Sequence, residues 1–326
     1  MQILHFFEWL LELVPLWLIM SALPSLAYAI SNLLDKHQLE RLGKYFDGQG
    51  GVSTLLTVSA FVSILAIPFF VYYGGWSLVP EKINHLAIFA LVGCLHTALL
   101  WFYLKALEGD DTTTVVLFYS LLPVIGVLAS RLILGEKLLS MQWVAMGITV
   151  FGVLVISFDG FRFKVRAALL MSAASVCWAL GDVAFKYVAL DANIWQALFW
   201  EHLILTVIGV TLFCKASGVK ANFKTLYADR KKIGWKILLI ALIGEVLYIS
   251  GNVVSAFPLL EVQVAAVHLV QTFQPAWVFM ISLVIVVFRW LRSLPTQGFT
   301  TVQFYKNTLA IMFCVWGLTL LAIHTP

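Results

Sequence analysis

Apolar residues along this chain come in long blocks rather than in alternation, with the polar residues gathered at the joints. Ten blocks approach the roughly 20 residues that cross a hydrocarbon core as a helix. They fall at 13–34, 52–73, 85–107, 113–134, 141–158, 166–190, 194–213, 235–257, 262–288 and 304–323, and are called spans 1 to 10 below. The pattern predicts an all-α integral membrane protein of ten transmembrane helices. Composition agrees: 61% of the 326 residues are hydrophobic and only 12% are charged. Mean hydropathy is +0.94, and a soluble domain of this size cannot hide so much apolar surface. The opening "MQILHFFEWLLELVPLWLIM" lacks a basic leader and carries Glu8 and Glu12. It reads as an interfacial turn feeding span 1, not as a cleaved signal.

Net charge is a modest +4, but its placement is lopsided. With the loops counted alternately, seventeen Lys and Arg residues fall on one side, against Lys82, Arg131, Lys137 and Lys186 on the other. The positive-inside rule puts the rich side in the cytoplasm, which leaves both termini outside, with a bacterial inner (plasma) membrane as the expected location. The longest basic loop, residues 215–236, carries seven basic residues and one acid, Asp229. A juxtamembrane segment of this kind is attracted to anionic lipid headgroups more simply than to nucleic acid.

Two halves can be laid on each other. "YAISNLLDKH" from Tyr28 matches "WALGDVAFKY" from Trp178, with Asn32 over Asp182 and Lys36 over Lys186. Pro123 falls over Pro275, and Phe151-Gly152 over Trp316-Gly317. Each half holds five spans, and an odd number makes the second copy enter the membrane the other way up. The expected organisation is two inverted five-helix repeats, residues 1–160 and 161–326. Such halves can exchange conformations around a central site, which is the geometry of alternating access.

The paired spans and the stretch from Pro123 through Gly135-Glu136-Lys137 to Gly147 and Gly152 resemble the drug/metabolite transporter superfamily, in its ten-helix EamA-like branch. The resemblance implies a bundle whose central cavity is lined by spans 1, 3, 4, 6, 8 and 9, with spans 5 and 10 at the periphery. It also implies cytoplasmic termini, opposite to the charge bias. The second half departs from the motif, reading Phe288-Arg289 where Glu136-Lys137 would recur. Gly135 is expected to end span 4 in a backbone shape other residues resist, and Glu136 to sit ahead of the first turn of span 5.

Ionisable groups inside a membrane are costly, so each is a functional candidate. Glu245, Tyr248 and Asn252 share one face of span 8, and His268, Gln271 and Pro275 one face of span 9, by their spacing of three and four. In the superposed halves His96 falls over Tyr248. The expected substrate site is Asn32, His96, Tyr119, Asp182, Glu245, Tyr248, His268 and Gln271, with Glu201, His202, Asn252 and Gln274 as a second tier. The alternative use of these groups is interhelical hydrogen bonding. A desolvated carboxyl can exchange a proton during a transport cycle, so Glu245 is the candidate for proton coupling. Lys36 and Lys186, at helix ends, are expected to reach towards headgroups. Asp111 and Thr112 suit a helix start.

No catalytic motif is present: no Gly-rich phosphate loop, no serine elbow, no paired His at metal-ligand spacing. Cys94, Cys177, Cys214 and Cys314 show neither metal nor disulfide spacing and are expected as buried small hydrophobes. Neither a cofactor nor a metal is expected, and the protein is not expected to be an enzyme. The function that follows is secondary transport of a small polar or amphiphilic metabolite, with export as the default direction. A flippase for a lipid-like substrate and a scaffold without transport are the alternatives.

Overall fold

The computed structural model describes residues 15–46, 51–80, 82–137, 139–159, 162–163, 165–229 and 234–287, with scattered positions between 305 and 320. Among the described residues, eight helices are long and apolar enough to cross a bilayer. Spans 1 to 4 are Leu16–Lys44, Gly51–Gly74, Ile83–Gly109 and Thr112–Ile133. Spans 6 to 9 are Val165–Ala189, Ile194–Lys215, Trp235–Glu261 and Val264–Ile285. Span 5 is the 18-residue helix Ser140–Ser157, about 27 Å long at 1.5 Å per residue. Most of expected span 10, like residues 1–14 and Phe288-Arg289, lies outside the described residues. The only sheet among them is a two-residue antiparallel ladder, Phe158–Asp159 against Arg162–Phe163, at the junction of the two expected repeats. Helices dominate because hydrocarbon offers no partner for a backbone amide, so each span must satisfy its own.

The main span-to-span contacts are 1 with 8, 3 with 6, 2 with 7, and 4 with 9, followed by 3 with 7, 2 with 8, 4 with 6 and 1 with 9. Exchanging each span with the one five places along turns this set into itself: 1–8 becomes 6–3, 1–9 becomes 6–4, and 2–8 becomes 7–3. Between helices in lipid the drive is close packing, not release of water. Gly251 supplies one such approach: a Cβ there would lie 2.7 Å from the Tyr28 ring, so only glycine lets span 8 close onto span 1.

Spans 4 and 9 are each interrupted at matching places. Span 4 runs as Thr112–Leu117, a 3-10 turn Phe118–Leu121, and Leu122–Ile133, with Pro123 at the restart. Span 9 runs as Val264–Gln271 and, after Thr272-Phe273, Gln274–Val287, with Pro275 at the restart. Proline has no amide to donate and is tolerated in a helix's first turn, which is why both restarts fall there.

Span 1 differs most from its sequence expectation. Hydropathy ends it near residue 34, yet the helix continues unbroken to Tyr45. The polar residues that lower the hydropathy are packed against other spans and satisfied there. Gln38 Nε2 donates to the Ile237 carbonyl at 2.9 Å, and Lys36 Nζ donates to the carbonyls of Leu107 at 2.9 Å and Asp110 at 2.8 Å. Lys186 is likewise buried, its Nζ donating to the Val262 carbonyl at 2.7 Å and to Glu136 Oε1 at 2.6 Å. Neither lysine extends towards headgroups as expected: carbonyls freed at the ends of spans 3 and 8 capture them first.

Helix ends follow local chemistry. Asp111 Oδ1 accepts from the Thr114 amide at 2.7 Å, and Asn193 Oδ1 from the Trp195 amide at 2.9 Å, as N-caps do. Gly135 has φ +70° and ends span 4 as expected. Glu136 goes elsewhere than expected: its Oε2 accepts from the Val264 amide at 3.1 Å, so it caps span 9 in the other half instead of opening span 5. Cys94 and Cys214 are exposed on the protein's outer face, not buried; Cys177 is half-buried, and Cys314 lies outside the described residues.

Candidate functional site

Spans 1, 3, 4, 6, 8 and 9 enclose a small void between the halves, and these are the six spans that the resemblance names. Span 1 contributes Tyr28, Ser31, Asn32 and Asp35; span 3 contributes Leu99, Leu100 and Tyr103. Tyr119 comes from the interruption of span 4, Trp178 from span 6, Glu245 and Tyr248 from span 8, and Gln274 from the restart of span 9. The void measures about 20 Å³, room for a single water.

Two carboxyl groups face this space. Asp35 Oδ2 accepts from the Tyr103 hydroxyl at 3.1 Å, and Glu245 Oε1 accepts from the Ser59 hydroxyl of span 2. They are near neighbours: a Cβ on Gly244, the residue before Glu245, would lie 3.8 Å from Asp35 Oδ1. No Lys or Arg lines the void. Around the carboxyls runs a chain of aromatic rings. Tyr103 and Tyr119 stack at 6.1 Å between centroids, Tyr119 meets Trp178 edge-on at 4.9 Å, and Trp178 meets Tyr28 edge-on at 5.6 Å. Tyr28 then packs on Tyr248 at 5.4 Å. Two buried polar atoms on the wall, Asn32 Nδ2 and Gln274 Oε1, have no hydrogen-bond partner among the described residues.

Two further clusters flank the void. Glu201 Oε1 lies 2.7 Å from His96 Nδ1, and His96 Nε2 is bonded to the Tyr248 hydroxyl. Asn252 Nδ2 donates to the same Glu201 oxygen at 3.1 Å, while its Oδ1 accepts from the Tyr28 hydroxyl at 3.0 Å. This network joins span 7 to two rings of the cavity wall. The second cluster pairs Asp182 Oδ2 with His268 Nε2 at 2.8 Å, between spans 6 and 9.

The residues expected from sequence thus divide. Asn32, Tyr119, Glu245 and Tyr248 meet at the void, joined by Gln274 of the second tier. His96 stands behind Tyr248 with Glu201 and Asn252, and Asp182 with His268 forms the separate pair. Gln271 is buried in span 9 with its Oε1 unpartnered, away from the lining. His202 turns to its own helix, its Nδ1 2.9 Å from the Leu198 carbonyl, and packs at a tilt on Phe70. Sequence reasoning missed Asp35, Tyr28, Tyr103 and Trp178. The signal for Asp35 was present: Tyr28, Asn32 and Asp35 are spaced four and three, the same stripe that singled out span 8.

Among the described residues no group of three or more His, Cys, Asp or Glu could hold a metal ion. Outside the spans, one exposed ion pair joins the turn after span 6 to the start of span 3. Hydrogen bonding from the Lys82 ammonium holds the Asp191 carboxyl below its ordinary value of 3.8.

Comparison with known proteins gives the same class. Residues 15–158 match the EamA-like transporter family. A solved crystal structure, one of 28 chains that match, superposes with a TM-score of 0.54 at 16% identity, covering 91% of this chain and 95% of its own. At that identity the likeness establishes the fold alone. No curated protein matches the chain. The protein is a multi-pass integral membrane protein whose first half is similar to a transporter family.

Proposed function

We propose that the protein is a ten-span secondary transporter, built of inverted five-span repeats over residues 1–160 and 161–326, that moves a small polar or amphiphilic solute by alternating access. The observation that carries this is the pair of interrupted helices. Spans 4 and 9 break at matching positions, and both breaks deliver side chains, Tyr119 and Gln274, to one polar void between the halves. Irregular backbone inside a membrane is tolerated where it lines a cavity, and interrupted spans at equivalent places mark transporter binding sites. The exchange-invariant pairing of spans supports the duplication. A void of about 20 Å³ admits no metabolite, so the spans must part to load it, from one side and then the other.

Export from a bacterial cytoplasm is the working direction. Glu245 is the proposed proton-exchanging group, because protons and solute would compete for the same carboxyls. The basic segment 215–236 lies against anionic lipid in this reading. Its described part includes the helix Ser217–Ala228, with Val219 and Leu226 buried and Lys220 and Lys224 exposed, the arrangement of an interfacial helix. Purified protein in liposomes, loaded on one side with candidate solutes, tests the proposal. Counterflow of a labelled solute is expected, with a pH dependence that Glu245→Gln removes. An unchanged pH profile would exclude Glu245 as the coupling group.

A second reading, lipid flipping, is favoured by one observation. An apolar groove of about 380 Å³ opens towards lipid between Val62, Leu65 and Phe69 of span 2 and Val246, Ile249 and Val253 of span 8. The Ser59–Glu245 hydrogen bond joins the same two spans. Scrambling of a labelled phospholipid in the same liposomes, without solute counterflow, would select it. A scaffold would do neither.

A further inference from the structure

The chemistry of the void narrows the solute. Asp35 and Glu245 supply two carboxyl groups, each with one oxygen bonded to a neighbouring hydroxyl and the other without a hydrogen-bond donor among the described residues. Gln274 Oε1 is a third acceptor without a donor, on a side chain only 2% exposed. A buried acceptor left bare costs free energy that a bound donor would recover. Three acceptors therefore await a donor-rich group, and no lysine or arginine lines the void to offer one. His96, behind the wall, is already held between Glu201 and the Tyr248 hydroxyl.

The walls add a second preference. Tyr119, Trp178 and Tyr28 form contiguous faces and edges around the carboxyls. Aromatic rings attract a cation through their negative faces and also accept an apolar or aromatic body. A phosphate or carboxylate solute would meet two acids and no cation, which such a site rejects. Asn32 Nδ2 is a buried donor without a partner among the described residues and suits an acceptor atom on the solute.

We propose that the central site takes a monovalent organic ammonium ion with an aromatic or apolar body: the ammonium between Asp35, Glu245 and Gln274, the body against Tyr119 and Trp178. The inference rests on the transport reading for its biological use, but binding can be measured without transport. The probe is 2-phenylethylammonium, beside two isosteres of similar size, neutral 2-phenylethanol and anionic phenylacetate. Binding to the full-length protein in detergent would be read by calorimetry and by quenching of tryptophan fluorescence. The expected order places the ammonium ion first, with affinity falling as the solution is acidified, because protons compete for the two carboxyls. Asp35→Asn and Glu245→Gln should each weaken it by about tenfold, the scale of one lost charge-assisted contact. The wild-type series decides the matter even if those variants do not fold. Equal or tighter binding of phenylethanol or phenylacetate would overturn the proposal, and so would no binding of the amine alongside counterflow of another solute. Amine binding that depends on both carboxyls, without counterflow in liposomes, would leave this inference standing and remove the transport reading instead.

Discussion

Lys36 and Lys186 occupy equivalent places in the two halves, and they do the same backbone work with different company. Lys36 holds the carbonyls of Leu107 and Asp110, and the acid it pairs with, Glu40, is 3.8 Å away and exposed. Lys186 holds the Val262 carbonyl and adds the partly buried acid Glu136, whose other oxygen caps span 9. Asp110 precedes span 4 and Glu136 follows it, so the two lysines stand at opposite faces of the membrane. At the Lys36 end the contacts between spans are hydrogen bonds, those of Lys36 to span 3 and its exit and that of Gln38 to the Ile237 carbonyl of span 8. At the Lys186 end a partly buried ion pair joins span 6 to the segment after span 4.

The contrast can be broken most severely at Lys186. Lys186→Met leaves the partly buried Glu136 without a cation, and about 3 kcal/mol, the lower end of the cost of losing one partner of a buried pair, is expected. A large fall in thermal midpoint is expected, partly restored by adding Glu136→Gln. Lys36→Met strips two carbonyls of their donor but strands no buried acid, so about 2 kcal/mol is expected in the same assay. Parity between the two variants would mean that the Glu136 pair contributes little.

Helix capping sharpens the comparison further. The start of span 4 is capped by its own Asp111, while at the start of span 9 the equivalent Gln263 leaves that task to Glu136. Asp111→Ala should cost about 1 kcal/mol, and Gln263→Ala only a few tenths. The smallest effect belongs to the exposed Lys82–Asp191 pair, near the Lys186 end. Because Lys82 lowers the Asp191 carboxyl in the folded state, the stabilisation is present above about pH 4 and is lost as pH falls through the depressed value. Asp191→Asn should flatten a slight acid-dependent decline in thermal midpoint, and high salt should mimic it by screening the pair.

The predicted site illustrates how far a polar pattern carries. Glu245 stands out because an acid within an apolar block has few explanations, and it does face the void. Asp35 was passed over for the opposite reason. It sits where the block's hydropathy falls, beside Lys36 and His37, and so resembled the end of a span. It lies inside because Tyr103 bonds its carboxyl and Lys36 finds carbonyls on span 3. Glu136 reads as a local helix signal from its sequence neighbours, while its partners are 50 and 128 residues away.

The sequence by itself determined the helical spans, their order and the duplicated lysines and prolines. A bilayer makes helices the required form of a long apolar block, and periodicity records which residues share a face. Only the tertiary structure decided which polar groups meet. Tyr28 with Asn252, Asp182 with His268 and Glu136 with Lys186 join residues 224, 86 and 50 positions apart. Such pairs follow from how the halves dock, and no local pattern along the chain encodes that docking.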